Sequence, residues 1–262
     1  MRPIWYGGDV FWLLILAQAD PPEIGEKLPE LSDKDRQLAI EGVADAARKL
    51  LDRPDDESAL PQAVALLRHH WRKDPKSVPL NLLLAEAHVQ YAERYEAKED
   101  KEARKRHIDA GRTHCKAAPD HGEALYWHGH LLLHSADIER SYGRLKEALA
   151  EMEKAERSAP DTDLSGPARM IGRIYQETPS FLMLGDTKKA YSWYETALKR
   201  APQSLQTRLW MVQVCIELDK YKEARQHIEF IDKAKPRTGR EKQDKSYQEE
   251  ARGLLGKIQE EE

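Results

Sequence analysis

Apolar residues recur at helical spacing along most of the chain, in stripes that end near regularly placed prolines. These fall at Asp74-Pro75, Ala118-Pro119, Ala159-Pro160, Ala201-Pro202 and Lys235-Pro236. A proline stops a helix because it has no N–H to donate and its ring clashes one turn back. The pattern therefore predicts consecutive helical hairpins and no β-sheet. Counting back from each proline gives a recurrent trio on the second helix of each hairpin. It reads Ala190, Tyr194 and Ala197 before Pro202, and Ala148, Met152 and Ala155 before Pro160. Ala224, Ile228 and Ile231 hold the same offsets before Pro236, and Ala63, Leu67 and His70 before Pro75. Small residues let paired helices approach, and the large one fills the groove between them. The unit closing at Pro119 fits worst, because the offsets fall on His107, Gly111 and His114. Ile108, Gly111 and Cys115 still give it an apolar edge, so it reads as a degenerate repeat.

The prolines are separated by 44, 41, 42 and 34 residues. The last is the tetratricopeptide period. The fold class is thus all-α: a tetratricopeptide-like helical-hairpin solenoid with elongated, degenerate repeats. The expected form is a right-handed stack of about five hairpins plus a capping helix. Val212, the small residue of the last first helix, lies 12 before Ala224, whereas Gly172 lies 18 before Ala190 and Gly129 lies 19 before Ala148. If helical, each surplus lengthens a first helix by about 9–10 Å at 1.5 Å per residue. The expectation is lengthened first helices in the third and fourth hairpins, with Pro179 kinking or interrupting one of them.

Long neighbouring helices projecting on one side would wall a cavity. Tyr126, Trp127, Leu131, Tyr175, Phe181 and Leu184 are the candidates to line it, with Trp193, Tyr194 and Trp210 in support. Arg169 and Arg173, at i, i+4, would sit at its mouth and orient an anionic head group. The plainer reading is that the apolar residues are ordinary core and that the arginines pair with Glu177 or with the acidic linker before Pro167. An apolar cavity with a few polar groups suits an amphipathic small molecule. Asp161 and Asp163, in that linker, suit the cap of the helix that starts near Pro167. Pro167 itself suits a first helical turn, and Gly185-Asp186 the tight turn between helices.

The segments "EALYWHGHLLL" and "GPARMIGRIYQETPSFLMLGDTKKAYSWYETALKRAP" resemble the T component that accompanies some TRAP transporters. The resemblance covers roughly Pro75 to Pro236. It is most specific at Gly166-Pro167-x-Arg169, Gly172-Arg173-x-Tyr175, Pro179, and Gly185-Asp186 with Lys189-Ala190. It implies a periplasmic helical protein with a hydrophobic pore or cavity, a periplasmic solute-binding protein as partner, and homo-oligomers. Family members often carry a lipid-anchoring Cys after the signal segment, where this chain has Asp20.

Charge and chemistry narrow the reading further. Charged residues make up 34% and the net charge is −4, which suits a helical chain with solvated outer faces and gives no basic footprint for nucleic acid. Arg2, the apolar run Val10–Ala17 and Ala17-Gln18-Ala19 read as a secretory signal at residues 1–19, too short for a membrane span. A leader at 20–30 follows, then the repeat domain at 31–236 and a charged capping helix at 237–262. Cys115 and Cys215 read as buried free thiols. His130 and His134 share one helix face, but no HExxH and no third ligand at sequence spacing accompany them, so no metal or other cofactor is expected. No phosphate loop or nucleophile motif occurs, and the chain reads as non-enzymatic. The second functional reading is a generic tetratricopeptide adaptor that takes a protein or peptide in an open concave groove.

Overall fold

The computed structural model describes residues 25–261, and among these residues every regular element is helical. The proposed signal segment lies outside the described residues. After a single turn, α1 (Asp33–Arg36), come five hairpins. They pair α2 (Ile40–Leu51) with α3 (Ala59–Trp71), α4 (Val78–Ala97) with α5 (Lys101–Cys115), and α6 (Gly122–Glu139) with α7 (Tyr142–Ser158). Then α8 (Thr162–Glu177) pairs with α9 (Thr187–Arg200), and α10 (Leu205–Glu217) with α11 (Tyr221–Lys233). The closing helix is α12 (Glu241–Glu261). No described helix is long and apolar enough to cross a membrane.

The trio counted back from each proline is the packing register of the stack. In α7, α9 and α11 those three residues are the only buried ones on the helix. Ala63, Leu67 and His70 are buried in α3, and His107, Gly111 and His114 in α5, so the degenerate unit keeps the register. Its sizes are inverted. His88, which stands 19 before His107 as Gly129 does before Ala148, is the large residue, and Gly111 is the small one. A Cβ on Gly111 would lie 2.9 Å from His88 Cβ and 2.8 Å from Leu131 Cδ1. In the next hairpins the order is the usual one, with Gly129 against Met152 and Gly172 against Tyr194. Three apolar clusters run along the stack, with Tyr175 and Trp210 packed against both the second and the third. Cys115 and Cys215 are buried free thiols, each pushed up to about 12 by burial.

The helix lengths correct one expectation. The long first helices are α4, with 20 residues, and α6, with 18, in the second and third hairpins. In the fourth hairpin the surplus is not helical. Thr178 is extended (ψ 128°), as a residue before proline must be, and α8 stops there. The chain then makes a 3₁₀ turn at Ser180–Leu182 and folds back, with Asp186 N donating to Tyr175 O at 2.9 Å. Asp186 caps α9 through Lys189 N at 3.0 Å.

Both ends of the stack are sealed. At the start, Glu26 accepts a hydrogen bond from the Tyr95 hydroxyl and lies 3.5 Å from His107, while Leu28 and Leu31 pack on the first cluster. At the end, the fully buried Asp244 receives Arg237 Nη2 at 2.6 Å and its backbone N–H at 2.8 Å. The first turn of α12 reaches back to the turn after α2. Asp55 Oδ2 accepts from Lys242 N at 2.6 Å, Asp55 N donates to Gly239 O at 3.3 Å, and Arg240 lies 3.3 Å from Asp52. A carboxylate 187 positions away thus satisfies a free N–H of the α12 N-terminus. The solenoid closes on itself around a central hollow.

The register makes a paired prediction. A Cβ on Gly172 would sit 2.6 Å from the Tyr194 ring, whose hydroxyl is held by Gln176 at 2.7 Å. Gly172→Ala should therefore cost about 1–3 kcal/mol. Gly253 in α12 has nothing within 4 Å of its Cβ position, so Gly253→Ala should stabilise by about 0.5–1 kcal/mol. Urea unfolding of the two variants checks both signs.

Candidate functional site

The hollow has two connecting compartments of ≈ 660 and ≈ 750 Å³. Glu86, Trp127, Asp163, Arg169, Arg240 and Gln243 stand in the wall that the two share. Apolar surface in the larger compartment comes from Leu133, Leu145, Met170, Ile174 and Trp210, and polar surface from Glu93, His130, His134 and Arg173. Apolar and ionisable residues thus line the same compartment.

The kinked start of α8 is the most constrained part of this wall. Asp163, Leu164 and Ser165 all have left-handed backbone (φ 48°, 55° and 62°). For side chains with a Cβ this costs roughly 1–2 kcal/mol per residue. Arg169 offsets it. Its Nη1 donates to Asp163 O at 2.9 Å and its Nη2 to Asp163 Oδ2 at 2.5 Å. The Tyr126 hydroxyl donates to the same carboxylate oxygen at 2.6 Å. Right-handed helix resumes at Gly166, beneath the Tyr126 hydroxyl, with Pro167 in its first turn. The capping role expected of the two acids is not what the structure has. Asp161 makes no side-chain cap, and Asp163 is the counter-ion of a buried arginine.

Burial alone would raise the Asp163 carboxyl, but the Arg169 guanidinium and the Tyr126 hydroxyl outweigh it and hold it below the usual carboxylate range. Glu86 has no such partner. It is half-buried, and burial, with Asp163 and Glu123 adding like charge, pushes it up to about 8. Glu93 is raised by burial as well, although solvent in the hollow reaches it. Burial holds His130 down at about 3, so its imidazole is neutral.

The candidate residues from the sequence separate into three groups. Trp127, Arg169 and Arg173 line the hollow. Arg173 bonds Gln213 at 3.0 Å and Glu177 at 2.8 Å, and its guanidinium lies 4.8 Å from the Trp210 ring centroid. Both arginines therefore have the partners that the plainer reading gave them. Tyr126 and Leu131 are fully buried core, as the alternative reading had it, and Tyr175 packs between clusters beneath Lys189. Phe181 does not line the hollow. It is 81% exposed on the 3₁₀ turn, beside Met183 at 95%, because Pro179 turned the expected helix into a loop. Missing from the sequence reading were Glu86 and Glu93, on α4, and Arg240 and Gln243, at the start of α12. Nothing in their local pattern distinguishes them from solvated helix positions.

Asp163→Asn leaves Arg169 without its counter-charge. It should destabilise by about 2–4 kcal/mol, at the low side of a buried pair because solvent in the hollow reaches Asp163. A lowered carboxyl contributes stability above its unfolded value and loses it as pH falls through the folded one. The gap between wild type and variant should therefore close below about pH 4. Glu86 has the opposite sign. Its raised carboxyl makes the fold lose stability as pH rises from about 4.5 to 8, so Glu86→Gln should melt higher than wild type at pH 8.5 and equally at pH 4. Thermal melts across pH check both.

The family model described as "Anaphase-promoting complex, cyclosome, subunit 3" matches residues 175–231, which span α9, α10 and most of α11. No curated protein sequence matches the chain. A solved structure titled "Functional Characterization of Pseudomonas Aeruginosa pilF" is similar over 88% of this chain and 99% of that one, at 16% identity and a TM-score of 0.51. That likeness is one of fold. The chain has the fold of an all-helical solenoid of helical hairpins.

Proposed function

We propose that the protein is a non-catalytic binding protein that encloses an amphipathic small molecule and associates with a periplasmic solute-binding protein, as a T component of a TRAP transporter does. The observation that carries this reading is the closure of α12 onto the α2–α3 turn, which makes the concave face a walled hollow. Its apolar side, from Leu133 to Trp210, offers affinity, and Arg169, Arg173 and Arg240 offer an anionic head group its orientation. Periplasmic location belongs to the same proposal, with cleavage after Ala19 read out by N-terminal sequencing of exported protein. Homo-oligomers are part of it too.

The adaptor reading stands second, on a separate observation. Phe181 and Met183 project from the turn between α8 and α9, and the hollow carries many charges. Such a surface also suits a protein or peptide partner.

Trp210 is half-buried in the hollow wall and makes the decisive variant. Trp210→Ala should weaken uptake of a fluorescent fatty acid about tenfold, which is ~1.4 kcal/mol, with a smaller effect on the thermal midpoint. Asp55→Ala, which unties the closing turn, should speed release of the same probe. Absence of saturable uptake by the wild type, together with capture of a peptide lost in Phe181→Ser, would hand the lead to the adaptor.

A further inference from the structure

Three potential metal ligands, Glu93, His130 and His134, come together in the larger compartment. His130 makes no hydrogen bond among the described residues, and its Nδ1 is completely buried without a partner. Glu93 accepts no hydrogen bond among the described residues either, although it faces the two histidines of α6. His134, one turn on from His130, completes the set: one ligand atom from each of Glu93, His130 and His134 lies within 4.8 Å of the others. The His130 and His134 rings pack edge to face with centroids 5.7 Å apart, and no hydrogen bond joins any two of the three among the described residues. Two imidazoles and a carboxylate held apart around a common point form the arrangement of ligands about an ion, with bonds of about 2.0–2.2 Å. Closing onto that ion would draw each atom inward by less than about 1 Å.

We propose that Glu93, His130 and His134 bind a first-row divalent cation, Zn²⁺ above all, with one coordination position open to the hollow. The ligand types select it. Imidazole nitrogens with one carboxylate favour Zn²⁺ and its neighbours over Ca²⁺ or Mg²⁺, which take oxygen shells. An outer shell is in place as well. Glu96 Oε2 lies 3.3 Å from His134 Nδ1, and Arg104 lies 3.1 Å from Glu96 and 2.6 Å from Asp137. With the metal on Nε2, the His134 Nδ1–H donates to Glu96, the carboxylate–histidine–metal relation that orients a ligating ring. Arg104 Nη2 is now 2.8 Å from that same nitrogen, so binding moves it fully onto the two carboxylates. The site is independent of any apolar ligand. A bound cation would nonetheless place a positive charge where an anionic group in the hollow could reach it. Sequence spacing shows only the i, i+4 histidines, because the third ligand comes from α4, 37 residues upstream of His130.

The test uses the full chain without an affinity tag, stripped with chelator and titrated with ZnCl₂ by calorimetry and with CoCl₂ by visible absorption. One ion per chain is expected, with the absorption of low-coordinate Co²⁺ and a metal-dependent rise in melting temperature. Glu93→Gln should weaken Zn²⁺ at least tenfold and His130→Asn at least a hundredfold. Glu96→Gln should weaken it about tenfold. His227→Gln, remote from the site, should bind as wild type does. Glu93→Gln is close to isosteric, so its melting temperature without metal reports whether the fold is intact. The proposal is overturned by no saturable uptake, by unchanged affinity in the Glu93→Gln/His130→Asn double variant, or by loss of binding in His227→Gln alone.

Discussion

The pair formed by the buried Arg169 and Asp163 carries more of this structure than its size suggests. It ties three successive left-handed residues into place, and those residues set the direction in which α8 leaves the third hairpin. It also anchors Tyr126, so that α6 and α8 meet across a shared carboxylate. A buried cation without its partner is costly enough that the linker has few alternatives. The same two charges stand in the wall of the hollow. One interaction therefore fixes a backbone path, a helix crossing and part of the binding surface.

Packing along the stack obeys a size rule rather than an identity rule. The three middle hairpins each set a small residue against a large one, and which helix supplies which can be exchanged. In the second hairpin the exchange puts His88 against Gly111 and brings His88, His107 and His114 into one aromatic group with Tyr91. Burial holds His107 at about 4 and His114 at about 3, so they serve as neutral packing groups at ordinary pH. A repeat can thus look degenerate in sequence and remain regular in geometry.

The hollow is a consequence of closure, not of helix length alone. The long helices α4 and α6 supply one wall. Its remaining side is bounded by α12, which returns to the α2–α3 turn. Acidic groups that would be unremarkable on an outer helix face, such as Glu86 and Glu93, then face a confined space where few partners can satisfy them. That confinement raises both carboxyls.

Local information decided much of this. Proline placement and the trio offsets determined the five hairpins, their boundaries and the buried face of each second helix, because helix termination and helix pairing are short-range effects. The partners of Arg169 and Arg173, within six and four positions, were legible for the same reason. Pro179 marked an interruption, but whether the surplus residues became helix or loop depended on the fold-back that joins Asp186 to Tyr175. Tertiary structure alone decided the hollow's contents. Glu93 comes within 4.8 Å of His130 and His134, and Asp55 bonds Lys242, across separations of 37, 41 and 187 residues. No spacing rule reaches that far, since such pairs are set by the accumulated geometry of every hairpin between them.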